Sequence, residues 1–135
     1  MTVEAYSYSE EEEDQQIYHM LRAWAPDSFP QGCLLPKLGV IVYDDLGTAI
    51  CYMCADMSNS IPRATIDYLQ TNPDMPALTR FKAVKLAEEF LCQELKRMGY
   101  HHVFAVSLYA GIASLSQSLG YTVHDRAFVH LQKVI

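Results

Sequence analysis

Apolar and polar positions along this chain alternate between two periods, and the changes of period mark the elements. Residues 2–8 (TVEAYSY) alternate and predict a first strand. Ile17, Met20, Leu21 and Trp24 then recur at helical spacing. Ser9 followed by Glu12 is a capping-box pattern, the acidic run Glu10–Asp14 suits the positive end of that helix, and Pro26 ends it. Leu38–Tyr43 and Thr48–Met57 flank Asp44-Asp45-Leu46-Gly47, a hairpin turn, and Ala64–Leu69 supplies a third strand of a meander. The longest amphipathic stretch follows. Val84, Ala87, Leu91, Leu95 and Met98 form an apolar stripe, widened by Phe81, Phe90 and Cys92, which predicts a helix over 81–98 closed by Gly99. His102–Leu108 is short, β-branched and aromatic, so a buried strand is expected. Ile112, Leu115 and Leu119 predict a short helix stopping at Gly120, and residues 122–134 read as two more short strands with a turn near Asp125-Arg126.

A long helix between strands gives an α+β (α/β layered) class, and 135 residues without a linker or repeat predict a single domain, 1–135. Half the residues are hydrophobic and mean hydropathy is near zero, which is a globular composition. The expected setting is cytoplasmic: no apolar run approaches the ~20 residues of a membrane span and no charged-then-apolar leader opens the chain. A formal charge of −6 disfavours a nucleic-acid surface. Arg80, Lys82 and Lys85 leave room for a local basic patch, although a solvated helix face explains them as well.

Cys51-x-x-Cys54 has no second pair to complete a zinc site, and on a strand its two thiols diverge, so core packing is expected. His101, His102, His124 and His130 show no ligand spacing, and no metal is expected. A G-x-S-x-G elbow and a G-x-x-x-x-G-K-[ST] loop are both absent from the sequence.

Thr71-Asn72-Pro73 before the long helix and Leu119-Gly120-Tyr121 after the short one sit at suitable separation, and in that order of elements the chain resembles the GNAT superfamily of N-acetyltransferases. The resemblance implies a mixed, mostly antiparallel sheet with helices on both faces and acetyl-CoA as the cofactor. In that family the loop before the long helix carries Arg/Gln-x-x-Gly-x-Gly/Ala, whose N–H groups hold the cofactor's pyrophosphate. Here Arg80, Phe81, Lys82, Ala83, Val84 and Lys85 stand at the corresponding place. Arg80 matches, Ala83 replaces the first glycine, and Lys85 crowds the second small position.

The family's Asn falls near Tyr109 and its general-acid Tyr near Ser116, so neither matches. Tyr109 is the candidate replacement acid, or else a tyrosine packing at a strand end. For a general base the candidates are Asp67 and then Asp56, either of which could equally face solvent on an alternating strand.

These departures resemble the small GNAT-like proteins of tailed bacteriophages, some of them virion-associated. That resemblance implies contacts with a protein partner or a second copy, in the host cytoplasm or the virion, rather than efficient catalysis. The loop around Phe29 and Pro30 is a candidate contact surface. An active acetyl-CoA-dependent N-acetyltransferase is the alternative, and an unrelated α+β binding module the third reading.

Overall fold

The computed structural model describes residues 1–7, 12–27, 35–105, 110–123 and 133. By its internal contacts the chain forms two compact units, Met1–Ala105 and Val106–Ile135. The first holds a five-stranded sheet in the order β1-β2-β3-β4-β5. Strands β1 (Thr2–Ser7), β2 (Leu38–Tyr43), β3 (Ala49–Met57) and β4 (Arg63–Thr71) pair antiparallel. Strand β5 (His102–Ala105) runs parallel to β4, with Arg63 opposite His102 and Ile66 opposite Ala105. A parallel neighbour needs a crossover, and α2 (Ala77–Arg97) provides it. Both predicted features, a mixed sheet and helices on its two faces, are present.

The meander follows the sequence reading closely. Its tight turn is held by Asp44, whose carboxylate accepts the N–H groups of Leu46 (2.9 Å) and Thr48 (2.8 Å) while Gly47 takes a φ of 80°. Successive side chains of β2 and β3 serve opposite faces. Ile41, Tyr52 and Cys54 join Leu21 and Leu35 in a core under α1 (Glu12–Trp24), with Ile17, Tyr18, Met20 and Trp24 packed against it. Val40, Val42, Cys51, Met53 and Ala55 belong to the alternate set and are also buried, on the face carrying α2. That helix contributes Ala83, Val84, Ala87, Leu91 and Leu95. The two thiols of Cys51-x-x-Cys54 therefore go to different cores.

Helix α2 ends in a Schellman motif. Gly99, at φ 93°, donates its N–H to Lys96 O (3.0 Å), and Tyr100 donates to Leu95 O (3.0 Å). Among the described residues, the largest boundary differences from the sequence reading are that α2 starts at Ala77 rather than Phe81 and that β4 runs on to Thr71. Pro76 fixes φ at −56° just ahead of the good helix formers Ala77 and Leu78, which sets the earlier start. In the second unit, α3 (Ala110–Ser118) closes with the same kind of cap, Gly120 at φ 94° and Tyr121 N–H on Ser116 O at 3.1 Å. Most of the strands expected over 122–134 (residues 124–132 and 134), the Ser9 cap and the Phe29–Pro30 loop lie outside the described residues, and Thr122, Val123 and Lys133 lie in no strand.

Candidate active site

Strand β4 is interrupted where the chemistry was expected. Cys54 pairs with Asp67 and Tyr52 with Gln70, so Tyr68 and Leu69 together oppose Met53. This is a β-bulge, and Tyr68 adopts φ 46°, in the left-handed region that a bulky side chain seldom enters. Asp67 fixes the bulge from both sides. Its carbonyl accepts the Cys54 thiol at 3.1 Å, and its Oδ1 accepts the N–H of Tyr68 at 3.1 Å. The carboxylate thus turns onto the strand's own backbone.

The electrostatics follow from burial. Burial raises the Tyr68 hydroxyl's pKa, and the Asp67 and Cys54 charges push it the same way. The Cys54 thiol is pushed up to about 12, first by burial and then by the Asp67 and Asp56 carboxylates, against a hydrogen bond from Tyr52 that lowers it. A thiol held there stays protonated, so Cys54 is a structural donor and not a nucleophile.

From Thr71 the chain is clamped back to β3 by Asn72. Its N–H donates to Ile50 O (2.8 Å), its Nδ2 donates to Ala49 O (3.1 Å), and its Oδ1 accepts the Asp74 N–H (3.0 Å). Helix α2 then begins without a side-chain cap, and its first turn has no acidic residue. The first intrahelical bond runs from Arg80 N–H to Pro76 O at 3.0 Å. The N–H groups of Ala77, Leu78 and Thr79 therefore precede the ladder, at the positive end of the helix dipole. Such a terminus suits an anion.

None of the six residues expected to form a cofactor loop lies in a loop. Arg80, Phe81, Lys82, Ala83, Val84 and Lys85 all lie inside α2, past the free N–H groups. Ala83 is fully buried and Val84 is 7% exposed, both facing the sheet, while Phe81, Lys82 and Lys85 are exposed. Arg80 is half-buried, and its Nε has no acceptor among the described residues. The candidate anion donors that sequence reasoning left out are the N–H groups of Ala77, Leu78 and Thr79, and Pro76 was the signal that could have pointed to them. The bulge at Tyr68 had no signal, since nothing in ATIDYL breaks the strand pattern. Asp67 is the middle residue of β4, just before the bulge. Asp56 is exposed on β3 opposite Thr65. Tyr109 lies outside the described residues, and Ser116 sits in α3 of the second unit.

No protein-family model matches this sequence, and no curated protein sequence matches it either. Solved structures do. The chain is similar to an acetyltransferase of Trypanosoma brucei, with a TM-score of 0.63 and 12% identity over 97% of this chain and 100% of that one. It is similar to the aminoglycoside N-acetyltransferase AAC(6')-Iy in complex with CoA, with a TM-score of 0.65 and 15% identity over 98% of this chain and 100% of that one. Glucosamine-6-phosphate N-acetyltransferase from Arabidopsis thaliana gives a TM-score of 0.58 and 10% identity over 99% of each chain. The fold is that of the GNAT N-acetyltransferases.

Proposed function

We propose that this GNAT-fold domain works through protein contacts, in the manner of the small phage-encoded members, and holds acetyl-CoA too weakly for efficient transfer. On this reading its setting is the host cytoplasm or the virion. The observation that carries the proposal is the Asp67 carboxylate on the bulge N–H of Tyr68. Acyl transfer from a thioester builds negative charge on the carbonyl oxygen, and backbone donors at a kinked strand are natural stabilisers of that charge. Here one such donor is taken by a carboxylate, whose own charge opposes an oxyanion beside it. The start of α2 gives further support. Its free N–H groups and Arg80 suit a pyrophosphate, but Leu78 and Thr79 stand where glycines would allow close approach, and Leu78 is 65% exposed.

An active acetyl-CoA-dependent N-acetyltransferase is the second reading, favoured by the uncapped α2 terminus and by Asp67 serving as general base. Calorimetry with acetyl-CoA on the unmodified protein and on Asp67→Asn separates the two. Our reading expects no binding tighter than ~100 μM from the unmodified protein and at least fivefold tighter binding from Asp67→Asn, because a charge is removed from the bulge. Micromolar binding by the unmodified protein, with amine acetylation abolished by Asp67→Asn, establishes the enzyme instead.

A further inference from the structure

The end of the first unit opposite the α2 start carries a different surface. Two segments meet there, 57–66 and 95–105, and neither contains an Asp or a Glu. Tyr100 donates its hydroxyl to Ser58 O at 3.0 Å, and the N–H groups of His101 and His102 donate to Pro62 O at 2.9 and 3.1 Å. A shallow concavity results, lined by Ser58, Ser60, Ile61, Pro62, Met98 and Tyr100. Ile61 and Met98 leave about half of their surface exposed in it. Around it stand Arg63, Lys96, Arg97, His101 and His102. Arg97 is neutralised by Glu94 at 2.7 Å, while Arg63 and Lys96 have no ion pair among the described residues. The Arg63 guanidinium lies 5.4 Å from the centre of the Phe104 ring, which holds it at the surface beside the concavity. In a chain with 16 acidic and 10 basic residues, this end has an apolar floor and a rim on which Arg63 and Lys96 are left over once Glu94 has paired with Arg97.

The same chain carries the complement. Glu10, Glu11, Glu12, Glu13 and Asp14 are consecutive and contain no basic residue. We propose that the domain self-associates, the acidic run of one copy docking on the Arg63–Lys96 end of a second copy. The proposal names the partner for a contact function and stands whether or not acetyl-CoA binds. The apolar floor of Ile61 and Met98 excludes water from the ion pairs and strengthens them. Two such contacts exchanged about a two-fold axis close a dimer, so association saturates rather than growing into filaments. The contact area is small, so association is weak and salt-sensitive.

The test is sedimentation of the full chain from ~5 to ~500 μM in ~50 and ~500 mM NaCl. A dimer is expected at low salt, with its dissociation constant at least tenfold higher at high salt. Arg63→Glu with Lys96→Glu should leave a monomer at ~500 μM, and so should Glu10→Lys with Glu11→Lys, Glu12→Lys and Glu13→Lys. Mixing the two charge-reversed proteins should form the pair that neither forms alone. Circular dichroism checks that each remains folded. If the acidic-run variant does not fold, a synthetic peptide of residues 8–16 replaces it and should dissociate the unmodified dimer. An unmodified protein that stays monomeric at ~500 μM in low salt overturns the proposal. A dimer indifferent to Arg63 and Lys96 overturns it too, as does a monomer that binds a random RNA duplex through this end.

Discussion

Gly39 is the position where one added carbon should cost most for its size. It lies in β2, paired with Tyr6 on one side and Cys54 on the other, and the Tyr52 ring lies over it from β3. A Cβ built on Gly39 would stand 2.9 Å from Tyr52 Cε2, 3.1 Å from its hydroxyl and 3.2 Å from Cζ. Ordinary contact begins at 3.4 Å, so the ring would have to retreat by about half an ångström. It has nowhere to go. Tyr52 is fully buried among Leu21, Leu35, Ile41 and Cys54, with α1 above. Overpacking of this kind costs about 1–3 kcal/mol. The entropy gained by replacing glycine in a strand offsets about 0.5–1 kcal/mol of that. Gly39→Ala should therefore destabilise by about 1–2 kcal/mol, read as a lower urea midpoint at unchanged slope and a melting temperature about 3–8 °C lower. The same change in a Tyr52→Leu background should cost nothing or stabilise, giving a coupling of about 1 kcal/mol or more. Equal costs in the two backgrounds would refute the close approach of ring and backbone.

Other predictions concern the opposite core and the thiols. Leu91 is fully buried on α2 between Ala87 and Leu95, so Leu91→Ala should cost about 2–5 kcal/mol in a denaturant melt. A loss under ~0.5 kcal/mol would mean that this helix face is not packed on the sheet. Burial pushes the Cys51 and Cys54 thiols up to about 12, so the folded protein keeps protons that the unfolded chain releases from about pH 9. Their contribution to stability is complete below pH 9 and is lost as pH rises towards 12. Tyr43 and Tyr68, both raised by burial, add to the loss above pH 10. Melting temperature should fall across that window, and Cys51→Ala with Cys54→Ala should flatten the fall; an unchanged profile would show that the thiols are not buried.

The fold was largely legible because its elements are patterned for one face or two. LGVIVY and AICYMC alternate between two cores while staying apolar throughout, and the DDLG turn specifies their register through Asp44 and Gly47. The stripe Ala87, Leu91, Leu95 and the caps at Gly99 and Gly120 were equally plain. The candidate site was less so. Its position depends on where α2 begins, and Pro76 shifts that start by one turn, carrying Arg80–Lys85 from the expected loop into the helix. The bulge is a tertiary effect. Tyr68 accepts a positive φ because Asp67 and Cys54 hold its neighbours, and no local propensity of tyrosine encodes that. Asp67 could be singled out as a strand carboxylate near the site, but its turn back onto Tyr68 could not.

The strands of the sheet stand in the same order as in the chain, and that has a kinetic consequence. Strands β2, β3 and β4 are joined by short turns, so their contacts close early and cheaply. On a ribosome this three-stranded ribbon leaves the exit tunnel before any of α2 does. Until then the ribbon presents Val40, Val42, Cys51, Met53 and Ala55 bare on one side. The twenty-one residues of α2 must arrive and coil before that side is covered, and β5 can add only after them. Nascent chains stalled with the end of α2 still inside the exit tunnel should therefore be the form that holdase chaperones grip most firmly, and release should coincide with the emergence of Gly99.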